Sequence, residues 1–177
     1  MKQPGLIHLY TGDGKGKTTA ALGLGLRAVG RGLRVLVVQF LKSSPTGELE
    51  AISRLAPLYR VYRGSNTPKF TWQMDDSERA ESRETQTQIL GVAEAEVAAQ
   101  GCDLLVLDEI LGALDAGLVD LERVVILVRN KPATLELVLT GRNAPVELVA
   151  LADYVSEIRC AKHPFQNGVG ARVGIEN

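Results

Sequence analysis

The stretch Tyr10-Thr11-Gly12-Asp13-Gly14-Lys15-Gly16-Lys17-Thr18-Thr19 gathers three glycines, two lysines and a threonine pair between an apolar run and a helical pattern. Glycines let consecutive backbone N–H groups curl toward one point without Cβ clashes, which makes an anion-binding nest. The N-terminus of the following helix adds partial positive charge. Lys17 is placed to reach terminal phosphate oxygens, and the Thr18 hydroxyl to ligate Mg²⁺. The pattern Gly-x-x-x-x-Gly-Lys-Ser/Thr calls for glycine at position 11, where this chain has Thr11; Gly12, Gly14 and Gly16 keep the loop permissive. The competing reading is a glycine-rich strand–helix turn with a stray lysine. The flanking strand and helix favour a triphosphate site.

Asp108 and Glu109 close the apolar run Asp103 to Leu107. Beside a phosphate loop, this is where an acidic motif meets Mg²⁺, because an ion bridging phosphate oxygens wants a hard carboxylate near the threonine hydroxyl. Capping of the next helix is the alternative. Two aromatics, including the single tryptophan, sit in Phe70-Thr71-Trp72 after a Gly/Ser/Asn/Pro loop. Stacking on a flat ligand and a satellite hydrophobic cluster are equally good accounts of them. Arg142 reads equally as a phosphate contact or a surface loop arginine. These motifs indicate nucleotide triphosphate and Mg²⁺; kinase, NTP hydrolase, nucleotidyl transfer and a purely regulatory nucleotide-binding module all stay open.

Short apolar runs alternate with helical patterns and so position these residues. Strands are expected at 5–10, 33–41, 58–62, 103–107, 135–139 and 154–158, with an edge strand near 172–175. Helices are expected at 17–30, 48–55, 76–100, 121–129 and 145–151. Asp75 and Glu78 have capping-box spacing at the start of the long helix. The alternation specifies an α/β domain with a mostly parallel sheet and helices on both faces. With the phosphate loop at the first strand–helix turn, a single P-loop NTPase (RecA-like) domain over 1–177 is the expectation.

The 177 residues, 45% of them hydrophobic, suffice for one core without disulfides or a structural metal. A net charge of −1 argues against a broad electrostatic grip on nucleic acid. Two cysteines, Cys102 and Cys160, lack metal-ligand spacing and suit small buried positions. No run reaches the about 18 to 20 apolar residues a membrane helix needs, and no signal-peptide pattern opens the chain, so a cytoplasmic protein is the expectation.

In order along the chain, TGDGKGKTTAALG, VVQFLK, Gly47-Glu48, FTW, LVLDE, LTGRNAP, ADYVSEI and KHPFQNGVGARVGIE resemble the corrinoid adenosyltransferases, the ATP:cob(I)alamin or cob(I)yrinic acid a,c-diamide type with a phosphate loop. The resemblance covers nearly the whole length. It implies binding of ATP and of a reduced corrinoid, attack of Co(I) on the ribose 5′ carbon, and release of triphosphate. It implies a nucleotide reversed relative to phosphate-loop kinases, with ATP held by Gly12, Asp13, Gly14, Lys15, Gly16, Lys17, Thr18 and Thr19. Lys17 and Glu109 take the catalytic positions, and Thr18 and Glu109 those of Mg²⁺ ligands. Phe70 and Trp72 match aromatics near the corrin that help displace the lower axial ligand. A reductase or flavodoxin as electron donor and a homodimer are further expectations. Asp13 stands where similar sequences often carry asparagine. Longer members have an N-terminal extension over the partner's site, and this chain has four residues before its first expected strand.

Overall fold

The computed structural model describes residues 4–42, 44–64 and 71–175. Its strands are β1 (Ile7–Thr11), β2 (Val35–Gln39), β3 (Tyr59–Arg63), β4 (Leu104–Asp108), β5 (Glu136–Thr140) and β6 (Tyr154–Glu157). Its helices are α1 (Lys17–Val29), α2 (Gly47–Ser53), α3 (Asp76–Ala98), α4 (Ile110–Asp115), α5 (Leu121–Asn130) and α6 (Val146–Leu151). The strands form one sheet in the order β3-β2-β4-β5-β1-β6, and every pairing is parallel.

Parallel strands covered on both faces must be apolar throughout, and β2 and β4 are buried at every position. Alternate side chains feed two cores. Leu36, Val38, Leu105, Leu107, Leu137 and Leu139 pack with residues of α3, α4, α5 and α6. Val35, Val37, Val106 and Val138 pack with Ala21 of α1 and Ile52 of α2. Helices therefore cover both faces, as the alternation requires. The capping box of α3 is present: Glu78 N donates to Asp75 Oδ1 at 2.9 Å, and Asp75 N donates to Glu78 Oε2 at 3.0 Å.

The strands share one further property that matters for chemistry. Each ends on a polar residue: Thr11, Gln39, Arg63, Asp108, Thr140 and Glu157. Since all run the same way, these side chains collect along one rim of the sheet, where open α/β sheets bind ligands.

Two elements differ from expectation. No strand forms near 172–175; residues 173–175 make a turn. Gly168 and Gly174 take φ of 75° and 77°, so the tail cannot run extended along an edge. It makes a 3₁₀ turn at Pro164–Asn167 and folds back toward the phosphate loop. The short helix α4 was not foreseen, because six residues ending before Gly117 carry too little periodicity.

Close approach, not turn geometry, explains Gly25. A Cβ there would lie 2.6 Å from Cζ of Tyr59 and closer still to its hydroxyl. Tyr59 is buried, and its hydroxyl donates to the Leu22 carbonyl at 2.9 Å. Gly25→Ala gains about 1 kcal/mol of helix propensity but overpacks a fixed ring at about 1–3 kcal/mol. We expect a thermal midpoint lowered by a few degrees, and a Gly25→Ala/Tyr59→Leu double variant less destabilised than the sum of the singles. A midpoint equal to or above wild type in the single variant would contradict this packing.

Candidate nucleotide and metal site

The chain leaves β1 through a loop whose shape two glycines permit: Gly12 has φ 102° and Gly16 φ 124°. The loop is pressed against the exit of β6. Gly14 N donates to the Ile158 carbonyl at 2.8 Å, and a Cβ on Gly14 would come within 2.7 Å of the Arg159 backbone. Asp13 Oδ1 accepts the Cys160 N–H at 3.0 Å, and that bond holds its carboxyl below the usual range. Its charge thus ties the tail to the loop. Lys15 Nζ donates to the Ile175 carbonyl at 3.3 Å on the same side.

Helix α1 starts at Lys17 with Gly16 as its cap, no side-chain cap bond and no acidic residue in its first turn. Its first N–H groups keep their anion-binding capacity. Lys17 is buried and curls over the loop, donating to the carbonyls of Gly12 at 2.7 Å and Gly14 at 2.8 Å. Burial pulls its ammonium below the ordinary value, opposed by the nearby charge of Glu109. Thr19 is exposed on the first turn, facing the cleft.

The carboxylate that meets Thr18 is Asp108. Thr18 Oγ1 donates to Asp108 Oδ1 at 2.8 Å, and Thr140 Oγ1 donates to the same oxygen at 2.8 Å. Gln39 Nε2 donates to Oδ2 at 3.1 Å, and Lys42 Nζ stands 2.9 Å from Oδ2. Asp108 has no exposed surface. Glu109, next in the chain, is held in the left-handed region at φ 64°, strained for a residue with a Cβ. Its N–H donates to Thr140 Oγ1 at 2.9 Å, so one threonine hydroxyl serves both acids. Burial, then the Asp108 charge, raises the Glu109 carboxyl above its ordinary value, while Lys42, Lys17 and Arg142 pull it down. Thr18, Asp108 and Glu109 are hard oxygen donors of the kind Mg²⁺ takes. Among the described residues no group of three or more His, Cys, Asp or Glu could hold a metal, so a cation here would draw further ligands from phosphate and water.

The loop forms one wall of a cleft of about 1560 Å³. Arg142, exposed and following Gly141 at φ 142°, lines it with Glu109. A Cβ on Gly141 would sit 2.6 Å from Leu111 Cβ, so α4 and the Arg142 turn approach as closely as backbone allows. Trp72 lies in a 3₁₀ turn (Thr71–Gln73), is 77% exposed and borders the cleft. Phe70 lies outside the described residues. Phe165 of the tail, 74% exposed, borders the cleft as well.

The structure therefore brings together the loop, Lys17, Thr18, Glu109, Arg142 and Trp72. Sequence reasoning paired Thr18 with Glu109 and left out Lys42, Gln39, Thr140 and Phe165. The available signal was a single polar residue closing each apolar run: VLVVQ, LLVLD and ELVLT.

A family model described as ATP:corrinoid adenosyltransferase BtuR/CobO/CobP matches residues 3–177. A corrinoid adenosyltransferase of Escherichia coli is 37% identical over 97% of this chain and 85% of its own length. One of Pseudomonas aeruginosa is 35% identical over 97% and 83%, and the corrinoid adenosyltransferase CobA of Salmonella typhimurium is 34% identical over 99% and 87%. Among solved structures, a KaiC-like protein from Pyrococcus horikoshii aligns over 88% of this chain and 73% of its own at 16% identity, with a TM-score of 0.48. On the strength of the family model and these relatives, the chain belongs to the ATP:corrinoid adenosyltransferase family.

Proposed function

We propose that this protein transfers the 5′-deoxyadenosyl group of ATP to the Co(I) centre of a reduced corrinoid and releases triphosphate, in the making or salvage of adenosylated corrinoid. One observation carries the reading: a phosphate nest and an exposed tryptophan border the same cleft.

The Co(I) electron pair forms the bond to the ribose 5′ carbon as the carbon–oxygen bond breaks, and the pair of that bond leaves with the triphosphate. Cobalt ends as Co(III), and no proton moves. The reaction needs in-line placement and a neutralised leaving group, not a general base. Neither histidine is needed for it; His163 lines the cleft and His8 does not. His8 pairs with Glu136 and stacks on Tyr154 at 4.7 Å, while His163 Nδ1 accepts the Phe165 N–H at 3.2 Å.

In this reading the N–H groups of the loop other than that of Gly14, which donates to Ile158, take the phosphates together with those opening α1. Lys17 turns from the loop carbonyls to the triphosphate, and Arg142, which lines the same cleft, adds charge. A Mg²⁺ held by Thr18 and Asp108, with Glu109 beside them, supplies further neutralisation of the leaving group. Trp72 offers an apolar face that disfavours the lower axial ligand and leaves a four-coordinate Co(II) that is easier to reduce. A reductase or flavodoxin as electron donor, a homodimer and a cytoplasmic setting belong to the same proposal and rest on the family. Among the described residues, no helix is long and apolar enough to cross a membrane.

Incubation with chemically reduced cobalamin, Mg²⁺ and ATP should yield a light-sensitive adenosyl product and inorganic triphosphate in equal amounts, and Lys17→Ala should abolish it. ADP and phosphate, formed without corrinoid, would instead mark a hydrolase or kinase. Trp72→Ala should leave ATP affinity within about twofold of wild type, slow the reaction from Co(II) by about tenfold or more, and lose most of that defect when Co(I) is supplied. Equal losses from both cobalt states would contradict the role given to Trp72.

A further inference from the structure

Lys42 occupies the place that a divalent cation needs. Its Nζ stands 2.9 Å from Asp108 Oδ2 and 3.3 Å from Thr18 Oγ1, the carboxylate and the hydroxyl to which the proposed function gives the metal. Asp108 is fully buried, and a buried carboxylate needs a partner charge. The segment carrying Lys42 is fixed from both sides of the site. Phe40 N donates to the Asp108 carbonyl at 2.9 Å, and the Phe40 side chain is buried. Leu41 is held in the left-handed region at φ 57°, rare for a bulky residue, with its N–H on Oε1 of the buried Gln86 at 3.2 Å. Strain at position 41, maintained by α3, aims the next side chain inward.

We propose that Lys42 is the resident counter-ion of Asp108 in the nucleotide-free protein and bars free divalent cation from the site, so that the metal enters only with the nucleotide. The inference rests on the reading of Thr18 and Asp108 as metal ligands. Two cations cannot share one carboxylate oxygen at contact distance without strong repulsion. The phosphates of an incoming Mg·ATP bring the negative charge that lets Lys42 leave Asp108 and join the triphosphate. Metal and nucleotide thereby bind as one unit, and the empty site stays neutralised.

Electron paramagnetic resonance with Mn²⁺ tests this on the intact chain. Wild-type protein should retain no Mn²⁺ in the absence of nucleotide and one per chain with ATP. Lys42→Met, and Lys42→Gln as a variant that keeps a hydrogen-bond donor, should bind Mn²⁺ without nucleotide at least about tenfold more tightly than wild type. Their thermal midpoints should rise with Mn²⁺ while that of wild type does not. Adding Asp108→Asn should remove the new site. Wild-type binding of Mn²⁺ alone as tight as that of the Lys42 variants would overturn the role of Lys42 and leave the ATP site standing. Failure to retain Mn²⁺ even with ATP would overturn the ligand assignment itself, and the proposal with it.

Discussion

A carboxylate with no contact to water must be compensated where it sits, and in this protein that carboxylate is Asp108. Thr18 opens α1, Gln39 ends β2, Thr140 ends β5, and Lys42 follows β2; all four reach the two oxygens of one side chain at the end of β4. Withdrawing a partner from such a buried ion costs about 3–5 kcal/mol, so the partners hold one another in place. The network extends outward. Arg63 at the end of β3 donates through Nε to Gln39 Oε1 at 3.0 Å and so fixes which way the glutamine amide faces. Four of the six strand ends are thereby locked around the mouth of the phosphate loop.

This arrangement suits a reaction that asks little of proton transfer. A metal-centred nucleophile arrives with its electron pair available, so the protein contributes charge placement and exclusion of competing geometry. The loop is preorganised from outside as well as from within. The exit of β6 presses on Gly14, and the Asp13 carboxylate grips the Cys160 N–H. Only glycine permits that proximity at Gly12 and Gly14, which gives the loop composition a packing reason besides its anion-binding one. The tail, pinned by the same contacts, brings Phe165 to the cleft rim with Trp72.

Much of this was legible along the chain. The six principal strands, the phosphate loop, the capping box at Asp75 and the long helix follow from local pattern, because each depends on residues within one or two turns of one another. The couplings at the site do not. Thr18 and Asp108 are separated by 90 residues, Gln39 and Asp108 by 69, and Thr140 and Asp108 by 32; only sheet order makes them neighbours. Local pattern therefore gave Asp108-Glu109 as a pair, and the family resemblance put Glu109 with Thr18, whereas the hydroxyl meets Asp108. Nor does local pattern show that the Asp13 carboxylate accepts the N–H of Cys160, 147 positions away. The edge strand expected near 172–175 does not form, because glycines in left-handed geometry turn the tail away. Phe70 lies outside the described residues.

The central claim is that the Asp108 charge, buried and shared among the strand ends, is what couples metal to nucleotide. Calorimetric titration of ATP into Asp108→Asn and wild type, each with and without Mg²⁺, addresses it most directly. The substitution keeps the shape and the acceptor for Thr18 and Thr140 but removes the charge. Wild type should gain at least about tenfold in ATP affinity from Mg²⁺. The variant should keep its metal-free affinity, through Lys17 and the loop amides, and lose that gain. An undiminished response to Mg²⁺ in a folded Asp108→Asn protein would contradict the account.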